Sequence, residues 1–198
     1  MAKRPKRAAE ARVRPGHSNQ IRIIGGRHRG RKLHFPDLPG LRPTSDRTRE
    51  TLFNWLQPIL DGAACLDLFA GSGALGFEAA SRGAGRVVML EQAPSAVQLL
   101  QQNKAMLDLA QIEIHRADAL VWLEQGSEPF DLVFLDPPFA GDQLEVCCEK
   151  LESGGWLAPG ARIYIEVDLS RGLPGLPHSW QCVKQKKAGQ VAFFLYTN

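Results

Sequence analysis

The chain has 198 residues, 44% of them hydrophobic, and a formal net charge of +3. That is enough for one main domain with its own core and a small appendage. It contains no run of eighteen apolar residues, and its basic N-terminus lacks the apolar stretch of a secretory signal, so neither a membrane span nor export is expected.

The total charge hides a split. Residues 1–49 hold fourteen Lys and Arg against three Asp and Glu, whereas residues 50–198 hold ten against eighteen. A basic arm on an acidic body points to a polyanionic partner for the arm. The cysteines are Cys65, Cys147, Cys148 and Cys182, with no C-x-x-C spacing. They read as buried thiols of a reduced, cytoplasmic protein. The histidines are scattered, so no metal is expected.

Taken in order, residues 1–18 are rich in Lys, Arg, Ala and Pro and read as a disordered basic tail. Residues 19–60 read as a basic hairpin and helix suited to a polyanionic partner. Ile21, Ile23 and Ile24 indicate a strand, and Gly25-Gly26 a turn or bulge. Arg27, Arg29, Arg31 and Lys32 follow around Gly30, before Leu33 and Phe35 resume the alternation. Arginine forks match phosphate oxygens, and glycines let backbone come close. After a linker at Pro36 to Gly40, the compact polar run Leu41 to Glu50 leads into a helix over roughly Arg47 to Gln57. Thr44, Ser45 or Asp46 is its candidate cap, and Pro58 its expected stop. Arg42, Asp46 and Arg47 cluster around a turn, which favours a functional role. Arg49 reads as an ordinary surface arginine.

From residue 61 to the C-terminus the α/β alternation is regular. A short apolar run, Ala63 to Leu66, precedes Asp67-Leu68-Phe69-Ala70-Gly71-Ser72-Gly73-Ala74-Leu75-Gly76, and a helical pattern follows. Strand, glycine turn and helix make the opening βα unit of a nucleotide-binding sheet. The G-x-G-x-x-G spacing also fits a dinucleotide, or a purely structural turn. The acid before the turn narrows the choice. Asp67 stands where a pyrophosphate would bring negative charge, and it suits a cationic ligand such as S-adenosylmethionine.

Arg86 to Glu91 is a buried strand ending in an acid. Glu91 lies twenty residues after Gly71, where a carboxylate can take ribose hydroxyls. Pro94 opens the next helix, and Ile112 and Ile114 mark a third strand. Asp118 can hydrogen-bond an adenine amino group or cap the helix after it. Phe130 to Leu135 is a fourth strand that runs into Asp136-Pro137-Pro138-Phe139. A helix is expected from about Asp142 to Leu151, and a fifth strand from Ala161 to Val167. A hairpin over Trp180 to Lys187 and Val191 to Tyr196 closes the chain. Such a closing antiparallel hairpin is usual in S-adenosylmethionine-dependent methyltransferases and unusual in dinucleotide-binding folds. The fold class expected is therefore α/β, a Rossmann-like class I methyltransferase sheet with a small basic N-terminal extension.

In an open α/β sheet, ligands bind beyond the carboxyl ends of the strands. Asp67 and Asp136 should therefore face one crevice. A carboxylate and a proline carbonyl accept, and Phe139 supplies a flat apolar face. Such a set would hold an exocyclic amino group on a planar ring. Two prolines stiffen the loop and remove two donors.

These motifs closely resemble the RsmD family of small-subunit ribosomal RNA guanine-N2 methyltransferases. The resemblance runs from about Gln20 to the C-terminus. Its marks are Arg22-Ile23-Ile24-Gly25-Gly26 with Arg29-Gly30-Arg31, then Arg42-Pro43-Thr44 with Asp46-Arg47 and Arg49-Glu50, then the Asp67 to Gly73 turn and Asp136 to Phe139. It implies methylation of one guanine in 16S ribosomal RNA, on the assembled or assembling small subunit, in a bacterial cytoplasm, with S-adenosylhomocysteine as product. By motif position the cofactor contacts would fall on Asp67, Gly71, Gly73, Glu91 and Asp118, with Phe69, Gln92 and Ala119 beside them. The catalytic loop would be Asp136, Pro137, Pro138 and Phe139. RNA contacts are expected from Arg22, Arg27, Arg29, Arg31, Lys32, Arg42, Thr44 and Arg47. The family's aromatic is often Tyr, and Phe139 keeps the stack without the hydroxyl. A monomer is expected. Methylation of DNA adenine-N6 or protein glutamine-N5, and a non-catalytic assembly factor, are the alternatives.

Overall fold

The computed structural model describes residues 19–126, 128–137 and 143–198. The expected basic tail, 1–18, lies outside them, as do Pro138 and Phe139. In chain order the elements are β1 (Asn19–Arg22), β2 (Lys32–Phe35), α1 (Asp46–Leu60), β3 (Ala64–Asp67), α2 (Ala74–Ser81), β4 (Arg86–Glu91) and α3 (Pro94–Leu107). There follow β5 (Ile112–Arg116), α4 (Ala119–Trp122), β6 (Phe130–Leu135), α5 (Gln143–Ser153), β7 (Leu157–Asp168), β8 (Gln181–Ala188) and β9 (Val191–Thr197). No helix among the described residues is long and apolar enough to cross a membrane.

Seven strands form one sheet in the order β5-β4-β3-β6-β7-β9-β8. The first five are parallel, and β9 runs antiparallel to both β7 and β8. The chain starts at β3, builds outward through β4 and β5, then returns to the other side of β3 with β6. The carboxyl ends of β3 and β6 therefore adjoin where the winding reverses, which is where such sheets open a ligand crevice.

The period-2 alternation of the strands divides the core. Cys65, Val87, Met89 and Phe134 join the layer containing Phe53 and Phe77, whereas Leu66, Val88, Val133 and Leu135 join the layer containing Leu144 and Trp156. The hairpin β1–β2 shares the first layer: Ile23 and Leu33 are fully buried in it. Its backbone docks on α2 and α3. His34 N–H donates to Asn103 Oδ1 (3.1 Å), Asn103 Nδ2 donates back to His34 O (2.8 Å), and Arg27 N–H donates to Ser81 O (2.7 Å). Gly26 has φ +73°, and a Cβ there would lie 1.9 Å from Ser81 O. The Gly25-Gly26 signal thus marks a docking point as well as a turn.

Four local expectations need correction. Cys182 is exposed on β8, whereas Cys65, Cys147 and Cys148 are buried as expected. The helix does not stop at Pro58, since α1 continues to Leu60 with Ser45 as its cap. In the last turn a proline forfeits one backbone bond, and the buried Leu56 and Leu60 hold that turn on the core. The strand at β7 begins earlier, at Leu157, and it pairs with β6 from Phe130 onward. Arg49 is not a surface residue. It is fully buried, because α1 turns that face toward Glu78 on α2.

Candidate active site

The carboxyl ends of β3, β4, β6 and β7 open on a crevice of about 620 Å³. Asp67 and Asp136 both line it, as the sheet register requires: Asp67 at the end of β3 is level with Phe134 of β6, two residues before Asp136. Its wall also includes the segment Leu38 to Ser45 before α1 and the β8–β9 turn at Ala188 and Gln190.

Asp67 is 2% exposed. Its Oδ2 accepts from Gly76 N–H at 3.2 Å, so it ties the end of β3 to the first turn of α2. Burial pushes its pKa up to about 7, against the pull of the backbone donors Gly76 and Phe69. Glu91, at the end of β4, accepts from Gly71 N–H (2.9 Å) and Ala93 N–H (2.8 Å). The glycine turn is thus held by two carboxylates of its own chain, and Gly71 and Gly76 donate inward. Gly71, with φ +50°, lies on the crevice wall. Gly73 does not line it: with φ +79°, a Cβ there would meet Phe77 Cδ2 at 2.5 Å and Leu100 Cδ2 at 2.6 Å. Gly73 serves the packing of α2 and α3.

Of the other expected cofactor residues, Phe69, Gln92 and Ala119 line the crevice. Asp118 does not. Its Oδ1 accepts from Leu120 N–H (2.8 Å) and Val121 N–H (3.1 Å), capping α4, and its Oδ2 accepts from Gln92 Nε2 (2.6 Å). The structure shows the capping role.

Asp136 is partly exposed on the crevice. Its ionisation is pushed well above the ordinary carboxylate range, by burial first and then by the charges of Glu166 and Asp67, against a hydrogen bond from Thr44. Thr44 Oγ1 donates to Asp136 Oδ2 at 3.4 Å. Thr44, expected at the RNA, is itself buried and acts on the carboxylate. Pro137 lines the crevice beside it. Sequence reasoning missed Glu166. It follows Ile165, which is level with Leu135, so it neighbours Asp136 across the β6–β7 pair. It is 8% exposed, and it accepts from Tyr164 Oη at 2.6 Å. Burial raises its pKa as well. The signal was available: an acid inside the apolar run Ile163-Tyr164-Ile165-Glu166-Val167 has no reason to be there unless something in the fold uses it.

Of the expected RNA residues, Arg42 lines the crevice with Thr44. Arg22, Arg27, Arg29, Arg31, Lys32 and Arg47 are exposed and lie off the crevice wall. Five acids line the wall: Asp67, Glu91, Asp136, Glu166 and Asp168. Among the described residues Arg42 is the one Lys or Arg facing them. That donor set repels a pyrophosphate and fits a cationic ligand with hydroxyls, as S-adenosylmethionine is.

A parallel sheet reversed between β3 and β6, closed by an antiparallel hairpin and holding acids at those two strand ends, is that of the class I S-adenosylmethionine-dependent methyltransferases. Within that class the chain belongs to the RsmD family. The family model described as "Conserved hypothetical protein 95" matches residues 21–197. The chain is 50% identical to the ribosomal RNA small subunit methyltransferase D of Escherichia coli over 185 residues, covering 92% of this chain and 93% of that one. It is 43% identical to the protein of the same name from Haemophilus influenzae, covering 93% and 97%. The solved structure of Escherichia coli yhhF superposes with a TM-score of 0.86 at 47% identity, covering 91% of this chain and 98% of that one.

Proposed function

We propose that this protein transfers a methyl group from S-adenosylmethionine to the exocyclic N2 of one guanine in 16S ribosomal RNA, in the assembled or assembling small subunit of a bacterial cytoplasm, acting as a monomer. The observation that carries the reading is that Asp67 and Asp136 open onto one crevice from adjoining strand ends. The names of the relatives supply the class of substrate.

S-adenosylmethionine, when bound, supplies an electrophilic methyl group on a sulfonium. The chain's task is to bind, orient and accept a proton. Asp67 offers buried negative charge to a cation, and Glu91 offers its carboxylate to ribose hydroxyls. Asp136 accepts from the guanine amino group and Thr44 fixes one of its oxygens, while the Pro137 carbonyl is the second acceptor. Holding both amino hydrogens turns the nitrogen lone pair out of conjugation with the ring. A guanine must leave its stack to reach this crevice, which costs a few kcal/mol. Stacking on Phe139, carried over from the sequence, offsets part of that. In this reading residues 19–60 serve the RNA and residues 61–198 the chemistry.

The test is radiolabelled S-adenosylmethionine offered in parallel to small subunits, deproteinised 16S RNA and DNA, followed by nucleoside identification. N2-methylguanosine from the small subunit is the expected product. N6-methyladenine from DNA would replace this reading with the other amino-methyltransferase. Asp136→Ala should lose transfer and keep cofactor affinity. Full activity in that variant would overturn the role given to the carboxylate.

A further inference from the structure

Strand β8 forms one edge of the sheet, and Gln181 to Lys187 are all exposed along it. It carries Lys184, Lys186 and Lys187 with no acid between them, and among the described residues none of the three has an ion-pair partner. Lysines on an edge strand commonly guard against strand pairing. Their placement here reaches further. Lys184 is paired with Leu195 and Lys186 with Phe193, both buried on the α1 side of the sheet, where Trp55 stands 5.4 Å from Phe193. Directly paired residues share a face, so these two lysines lie on the α1 side. Lys186 Nζ donates to Thr51 Oγ1 at 3.3 Å, and Thr51 Oγ1 donates to Arg47 O at 3.0 Å, one helical turn earlier. The ammonium thus sits within a turn of Arg47, an exposed arginine. The turn that follows β8 brings Ala188 and Gln190 into the same crevice wall as Arg42 and Thr44.

Resting on the methyltransferase reading above, we propose that Lys184 and Lys186 of β8 join Arg42 and Arg47 in one phosphate-binding track at the crevice mouth, which holds the RNA backbone beside the methylated nucleotide. The acidic half of the chain thereby contributes its own RNA contacts, separate from the N-terminal hairpin. Ammonium groups on extended side chains bind phosphates as point charges without reading sequence, so the track positions the strand while the crevice selects the base.

The experiment compares the full chain with Lys184→Ala/Lys186→Ala, titrating deproteinised 16S RNA and small subunits over a range of salt. Each phosphate contact contributes about 0.7 to 0.9 to the slope of log K against log salt. The double variant should lower that slope by about 1.4 to 1.8 and leave S-adenosylmethionine affinity unchanged, and the matching double substitution to Arg should restore it. Lys150→Ala, on α5 and paired with Glu124 (2.9 Å), should change nothing. A wild-type slope retained in the Ala variant overturns the track while leaving the methyltransferase reading standing. A wild-type chain that binds neither RNA nor small subunits overturns that reading and the track together. Should the Ala variant fail to fold, the same slopes are read from the two single substitutions.

Discussion

Arg49 Nη1 lies 3.5 Å from Glu78 Oε2, and neither side chain reaches solvent. Glu78 also accepts from Ile24 N–H (2.9 Å), Gly25 N–H (2.7 Å) and Arg82 Nε (2.6 Å). Arg49 Nη2 donates to Arg22 O (2.9 Å) and Asp46 Oδ1 (2.6 Å). One acid therefore joins the hairpin, α1 and α2, the helix that carries the glycine turn. Removing it leaves the buried Arg49 with only Asp46 and Arg22 O and strands two backbone donors. Breaking a buried pair from one side costs about 3–5 kcal/mol. Glu78→Ala should lose that much stability in urea unfolding, and backbone amides of β1–β2 should exchange faster than those of β3. Retained protection of the hairpin would show that its apolar contacts alone hold it.

Asp67 should make cofactor affinity depend on pH. In the free chain its pKa near 7 lies above that of an ordinary aspartate, so the native state binds a proton that the unfolded state releases. Stability from this group is therefore greatest below about pH 4 and falls as pH rises toward 7, by on the order of 4 kcal/mol in total. A cationic ligand reverses the preference, because it favours the carboxylate. S-adenosylmethionine affinity should rise up to tenfold per pH unit between pH 6 and 7 and level off above. Titration calorimetry in buffers of different ionisation enthalpy should show one proton released near pH 6. Asp67→Asn should abolish both effects. A flat affinity between pH 6 and 8 would remove Asp67 from the cation site.

How far the sequence carried is clearest at the strand ends. Acids after apolar runs placed Asp67, Glu91 and Asp136 on the crevice, and parallel topology did the rest. What escaped were partners set by tertiary packing. Arg49 sits in a polar run that reads as a helix surface, yet the docked hairpin covers it. Asp118 offered a cap and a ligand contact with equal chemistry, and only the coordinates show its Oδ1 taken by two amides. Gly73 carried a ligand motif, but its missing Cβ makes room for Phe77 and Leu100. Lys186 lies 135 positions from Thr51, and no local pattern pairs them.

Gly73→Ala tests the packing role directly. The Cβ would meet ring and leucine carbons at 2.5 and 2.6 Å, and the residue keeps a left-handed φ of +79°. Overpacking and left-handed strain each cost about 1–3 kcal/mol. The variant should unfold at lower temperature, with S-adenosylmethionine affinity falling only as far as the folded fraction does. A variant of full stability and weak cofactor affinity would return Gly73 to the ligand.

Glu166 should set the pH at which Asp136 works. The two acids neighbour each other across β6 and β7, and after burial the charge of Glu166 is the largest influence raising the ionisation of Asp136. In the proposed reaction Asp136 accepts amino hydrogens when ionised, so turnover should rise with pH as that carboxylate loses its proton. Glu166→Gln keeps an acceptor for the Tyr164 hydroxyl and removes the charge. The acid limb of kcat should then move to lower pH, while activity on the alkaline plateau changes less than tenfold. Single-turnover methylation of small subunits at saturating cofactor, measured from pH 5 to 9, reads the shift. An acid limb that stays in place, or moves upward, would mean that Glu166 does not act on Asp136 through its charge.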